Sequence, residues 1–120
     1  MATILIVEDE FDIRELLEAY LTNEGYKVIA AEDGEEALER FHDGHPDLVL
    51  LDLLLPGLDG FQVCRAIREE SDLPVIMLTA LGSEQSELKG FDLRVDDYIA
   101  KPFSMPVLLR RVEAGLRRTM

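Results

Sequence analysis

The chain has 120 residues, 48% of them hydrophobic, and carries 25 acidic against 12 basic side chains for a formal charge of −13. That length suits one domain with one core, and the charge repels nucleic acid and anionic membranes at long range, so direct DNA binding is not expected. Apolar runs fall well short of the roughly 18 residues that cross a bilayer and no basic segment precedes the first of them. Neither a spanning helix nor a signal peptide is expected, and the cytoplasm is the expected compartment.

Thr3-Ile4-Leu5-Ile6-Val7 opens the chain as an apolar, β-branched run, the pattern of a buried strand, and leads into Glu8 and Asp9. Ile13, Leu16, Leu17, Tyr20 and Leu21 fall at helical spacing and predict a first helix with one wide apolar face, stopped near Gly25. Lys27 to Ala31 predicts the second strand. Asp33, with Glu36 three residues on, reads as a capping-box-like start to the second helix. His42 and His45, in the polar stretch ahead of Pro46, read as solvated loop residues.

Leu48-Val49-Leu50-Leu51, closed by Asp52, predicts the third strand, and Phe61, Cys64 and Ile67 mark the third helix. Cys64 is the only cysteine, so no intrachain disulfide can form, and its apolar neighbours make it a small core residue. Pro74 to Thr79 predicts the fourth strand. Glu84 to Leu93 contains Ser86 and Gly90, with Leu88 and Phe91 as its apolar anchors, and predicts a weak fourth helix, the element expected to move. Tyr98-Ile99-Ala100 predicts the fifth strand; Leu108, Leu109, Val112 and Leu116 mark the fifth helix. Arg110, Arg111, Arg117 and Arg118 gather there, either complementing a helix dipole or forming a docking face.

Strands alternating with helices predict an α/β fold: a doubly wound, five-stranded parallel sheet with five helices on both faces. Ligands of such sheets sit beyond the C-terminal strand ends, which makes Asp52 the leading site candidate. Glu8, Asp9, Thr79 and Lys101 converge on the same edge. Each has a plainer explanation alone, since acids favour helix starts and threonine favours strands. Together they are a crowded set of carboxylates that needs cations: Lys101 supplies one charge and a divalent metal two. Oxygen ligands without His or Cys point to Mg²⁺ and to phosphate chemistry, with Asp52 as a nucleophile that forms an acyl phosphate.

At these residues the chain resembles the receiver domain of bacterial two-component response regulators. The resemblance rests on Ile4-Leu5-Ile6-Val7-Glu8-Asp9-Glu10, the stretch from Asp52 through Pro56 to Gly60, Thr79-Ala80, and Asp96-Asp97-Tyr98-Ile99-Ala100-Lys101-Pro102-Phe103. It implies the flavodoxin-like strand order 2-1-3-4-5, and that residues 1–120 form one phosphoacceptor domain in which Asp52 accepts a phosphoryl group from a sensor histidine kinase. Glu8, Asp9, Asp52 and the Leu54 carbonyl would hold Mg²⁺, and Thr79 and Lys101 would bind the phosphoryl oxygens. It also implies a cis peptide before Pro102, and a switch in which Thr79 moves inward, Tyr98 follows, and the face of helix 4, strand 5 and helix 5 is reshaped. The domain would be a signalling switch, not an enzyme acting on other substrates.

The C-terminal half is most similar to the branch whose receivers precede a winged-helix DNA-binding domain. Output would then be transcription, through an output domain absent from this chain, and DNA would be reached only through it. Members of that branch pair symmetrically, and Lys89, Asp96, Asp97, Arg111 and Arg118 are the expected dimer-face residues, Asp97 matched with Arg111 and Asp96 with Arg118. Two departures stand out. Val107 replaces a glutamate that would pair with Lys89, and Arg94-Val95 replaces Gly-Ala before the acidic pair, removing a helix-ending glycine.

Other functions fit less well. An aspartyl phosphatase wants a second acid where Leu54 stands, and neither a P-loop nor a flavin phosphate loop follows the first strand. The remaining alternative is a phosphorylation-independent receiver-like interaction module, which commonly lacks an acid, the threonine or the lysine kept here. Apolar Leu54 and Leu81 offer no side chain to position an attacking water, so slow loss of the phosphoryl group is expected.

Overall fold

The computed structural model describes residues 1–79 and 94–118. Five strands, β1 (Thr3–Val7), β2 (Lys27–Ala31), β3 (Leu48–Asp52), β4 (Val75–Thr79) and β5 (Asp97–Ala100), form one parallel sheet in the order β2-β1-β3-β4-β5. Four helices accompany them among the described residues: α1 (Phe11–Asn23), α2 (Gly34–Gly44), α3 (Gly60–Arg68) and α4 (Met105–Arg117). The helix expected over Glu84 to Leu93 lies outside the described residues, so α4 is the C-terminal helix that the periodicity numbers fifth. No helix among the described residues is long and apolar enough to cross a membrane.

The sheet separates two half-cores, because successive strand side chains point to opposite faces. Leu5, Val7, Val49, Leu51, Val75 and Met77 pack with Ala37 and Phe41 of α2 and with Phe61, Val63, Cys64 and Ile67 of α3. Ile4, Ile6, Leu48, Leu50, Ile76 and Leu78 pack with Leu17 and Leu21 of α1 and with Leu108, Val112 and Leu116 of α4. Every residue of β3 and β4 is buried, which explains their unbroken apolar runs. Cys64 is fully buried, and burial pushes its thiol pKa up, as befits a core residue.

Several local expectations are corrected. The buried face of α1 is Arg14, Leu17 and Leu21, whereas Leu16 and Tyr20 are 47% and 44% exposed. A helix lying on a sheet buries a narrow stripe, and these two fall on its flank. Asp33 does cap α2 by accepting from Glu36 N–H, but the Glu36 carboxylate accepts from Glu32 N–H instead of from the cap residue. A reciprocal capping box forms at α3 instead, between Asp59 and Gln62. His42 is not a loop residue: it lies in α2 and its Nε2 is 2.6 Å from Glu70 Oε2. Its pKa is raised by that hydrogen bond, and both side chains stay solvated. His45 ends α2 in the left-handed region at φ 47°.

Arg94 takes the left-handed conformation a glycine would favour, at φ 57°. Its carbonyl accepts from Arg68 Nη2 at 2.7 Å, and Arg68, 7% exposed, also reaches the Leu73 carbonyl at 2.6 Å and Asp96 at 3.0 Å. One guanidinium thus joins the end of α3, the entry to β4 and the turn before β5.

Candidate functional site

Strand register brings the chemistry together. Val7 lies beside Leu51, Leu51 beside Met77 and Met77 beside Tyr98, so Glu8, Asp52, Thr79 and Lys101 all emerge within three residues beyond one row. Glu8 is fully buried, and Asp52 and Thr79 are each 4% exposed. Asp9 is exposed at the rim. One carboxylate oxygen from each of Glu8, Asp9 and Asp52 lies within 4.8 Å of the other two.

Lys101 bridges the two buried acids, its Nζ 2.6 Å from Glu8 Oε1 and 3.0 Å from Asp52 Oδ2. The other Asp52 oxygen accepts from Leu54 N–H at 3.2 Å, so the carboxylate is oriented at both ends. Glu8 Oε2 accepts from Glu10 N–H at 3.2 Å. Lys101 N–H donates to the Thr79 carbonyl at 2.8 Å, tying the lysine to the threonine strand, and the Lys101–Pro102 peptide is cis.

Burial pushes the Glu8 carboxyl up to about 7 despite the opposing hydrogen bond from Lys101, with Asp52 adding to the rise. For Lys101 burial works against the ammonium, but its hydrogen bonds to Glu8 and Asp52 prevail and leave its pKa raised. Lys101 therefore stays charged while Glu8 carries the strain of the cluster. Three carboxylates against one ammonium leave an excess of two negative charges when all are ionised, which a divalent cation matches. The all-oxygen donor set suits a hard ion such as Mg²⁺.

The fold is shared with known proteins. The family described as response regulator receiver domain matches residues 4–113. The chain belongs to the response regulator receiver family. Among curated relatives, the probable transcriptional regulator ycf27 of Guillardia theta is 53% identical over 116 residues, covering 97% of this receiver and 46% of the relative. The transcriptional regulatory protein ResD of Bacillus subtilis is 50% identical over 115 residues, covering 96% and 48%. The receiver thus spans about half the length of the curated relatives it matches. The BeF3-activated N-terminal receiver domain of Klebsiella pneumoniae RstA superposes with a TM-score of 0.91 at 36% identity, covering 96% of this chain and 98% of that one. The BeF3-activated DrrB receiver domain gives 0.89 at 35%, covering 98% of each.

The structure brings Glu8, Asp9, Asp52 and Lys101 into one cluster, with Thr79 on the adjoining strand. Tyr98 lies on β5, partly buried against the half-core beneath α2 and α3. Of the expected dimer-face residues, Asp97 is held within the chain by Arg111 Nη1 at 2.6 and 2.7 Å. Asp96 accepts from Arg68 and from Val75 N–H at 2.8 Å, and Arg118 caps the end of α4. Lys89 and Leu81 lie outside the described residues. Val107 is 46% exposed and Leu54 is 57% exposed, the latter beside the site.

Arg14 and Arg68 are the polar residues that sequence reasoning missed. Both stand at helical spacing from apolar anchors, Arg14 from Leu17 and Leu21, Arg68 from Phe61 and Cys64, and that spacing is the signal that they face inward.

Proposed function

We propose that this receiver is a phosphorylation-activated signalling switch in which Asp52 accepts a phosphoryl group from a sensor histidine kinase. The observation that carries it is the buried Asp52 carboxylate at the end of the central strand, held by Lys101 and flanked by Glu8 and Asp9. Glu8, Asp9, Asp52 and the Leu54 carbonyl would hold Mg²⁺, which when bound supplies charge compensation to the phosphoryl oxygens. An Asp52 oxygen attacks phosphorus, the bond from phosphorus to the donor nitrogen breaks, and an acyl phosphate forms. Lys101 and the Thr79 hydroxyl bind the equatorial oxygens. The Leu54 side chain presents no polar group to a water, which favours a long-lived phosphoryl aspartate.

Movement of Thr79 toward the phosphoryl group, followed by Tyr98, would alter the face that carries β5 and α4. Symmetric pairing of two copies there would use Lys89, Asp96, Asp97, Arg111 and Arg118. Since Asp97 and Asp96 are held by Arg111 and Arg68 within one chain, pairing would require these carboxylates to share or exchange partners. The named relatives are transcriptional regulators of about twice this length, which supports a role in transcription exerted through a winged-helix output domain, with the cytoplasm as the proposed compartment.

Intact mass after incubation with Mg²⁺ and acetyl phosphate tests the assignment. One phosphoryl adduct on the wild type, absent from Asp52→Asn and abolished by EDTA, is the expected result. No adduct, together with no binding of beryllofluoride, would refute it in favour of a phosphorylation-independent interaction module.

A further inference from the structure

Four polar or charged residues are buried among those described: Glu8, Asp52, Thr79 and Arg14. Three belong to the candidate site; Arg14, on the buried side of α1, is the fourth. Its Nη1 donates to the Glu8 carbonyl at 2.8 Å and lies 3.4 Å from the Asp9 carbonyl, while Nη2 donates to Glu32 Oε1 at 3.0 Å. The Phe11 ring lies 5.5 Å from the guanidinium carbon and covers it. The two carbonyls gripped by one guanidinium nitrogen thus belong to the two consecutive residues whose carboxylates face Asp52.

We propose that Arg14 is a positioning residue for the divalent-cation site: its guanidinium fixes the Glu8 and Asp9 peptides so that both carboxylates converge on Asp52. This rests on the assignment of that cluster as the Mg²⁺ site. The mechanism is mechanical, because a cation at Arg14 repels a metal ion and its charge alone would weaken binding. What Arg14 contributes is the planar fork, which spans a main-chain carbonyl and Glu32 at once; an ammonium keeps the charge but cannot hold that geometry. Groups that orient metal ligands typically set affinity by ten-fold or more.

The test is a titration with Mg²⁺ alone, followed through the backbone amide NMR signals of Glu8 to Glu10 and Asp52 to Leu54. Wild type, Arg14→Lys and Leu17→Ala are compared; Leu17→Ala damages the same helix face without touching the two carbonyls. Arg14→Lys is expected to need about ten-fold more Mg²⁺ for half saturation, and Leu17→Ala to titrate like wild type while unfolding at lower urea. Equal affinity in folded Arg14→Lys overturns the inference while leaving the metal site standing. Equal weakening in Leu17→Ala also overturns it, by assigning the effect to loss of stability. No titration of wild type overturns the metal site and the inference with it. Glu32→Ala, at a side chain 67% exposed, carries the test should Arg14→Lys not fold: weaker binding supports the fork, and an unchanged midpoint overturns it.

Discussion

Replacing Arg68 with methionine keeps the apolar bulk of its stem and deletes the guanidinium that joins α3 to the entries of β4 and β5. Among the described residues, three hydrogen bonds of 3.0 Å or shorter are lost, to the Leu73 carbonyl, the Arg94 carbonyl and Asp96. The contacts of 3.2 Å to Arg94 and 3.4 Å to Ser71 add little. At about 1 kcal/mol net each, the three short bonds give a loss of about 3 kcal/mol. Asp96 is exposed and keeps Val75 N–H, so no buried charge is stranded. With a urea slope of about 1.5 kcal/mol/M for a domain of this size, the unfolding midpoint falls by about 2 M at unchanged slope. Arg68→Lys reaches one acceptor at a time and recovers about 1 kcal/mol. A loss below about 1 kcal/mol in Arg68→Met would refute the view that this side chain clamps the turn at Arg94.

Magnesium affinity is expected to depend on pH through Glu8, whose carboxyl is raised to about 7 by burial. The carboxylate must lose its proton to accept a cation, so affinity is full above that value and falls by up to about ten-fold per pH unit below it; equal Mg²⁺ midpoints at pH 6 and 8 would contradict this. Gly60→Ala would place a Cβ 2.6 Å from the Asp52 carbonyl oxygen and 2.8 Å from Leu53 Cα, backbone that cannot yield cheaply. A loss of about 1–3 kcal/mol in urea unfolding is expected in spite of alanine's better helix propensity, and an unchanged midpoint would disprove the close approach. The His42–Glu70 pair raises the folded-state pKa of His42 above 6.5, so its stabilisation is present below that pH and lost as pH rises through the folded value. The stability gap between wild type and His42→Gln therefore narrows from pH 6 to pH 8, and a gap independent of pH would refute the pairing in solution.

The inner strands were legible because burial on both faces leaves no choice but continuous apolar sequence, as in Leu48 to Leu51. The parallel doubly wound sheet and the convergence of Glu8, Asp52, Thr79 and Lys101 followed from the alternation of strands and helices, which by itself leaves the strand order open; the order came with the family resemblance. Side-chain orientation on helices was less legible: Leu16 and Tyr20 share the apolar period of Leu17 and Leu21, yet the contact stripe on the sheet is narrower than the apolar arc. Arg14 and Arg68 escaped because charged residues read as solvent-facing, although each guanidinium is buried with carbonyl acceptors that only tertiary structure supplies. Asp96 was singled out for a dimer face, but its partner within the chain, Arg68, lies 28 positions away and was not foreseen.

The partition of the interior by the sheet has a consequence for mutational tolerance. Leu50 and Leu51 are adjacent in the chain, yet one side chain joins the compartment beneath α1 and α4 and the other the compartment beneath α2 and α3. Truncating both opens two voids that share no lining side chain, so the penalties sum, whereas Leu50 with Leu78 or Leu51 with Met77 would be coupled despite their distance in sequence. Each compartment can therefore drift or be redesigned separately, with the strand backbone as the common wall through which one side constrains the other.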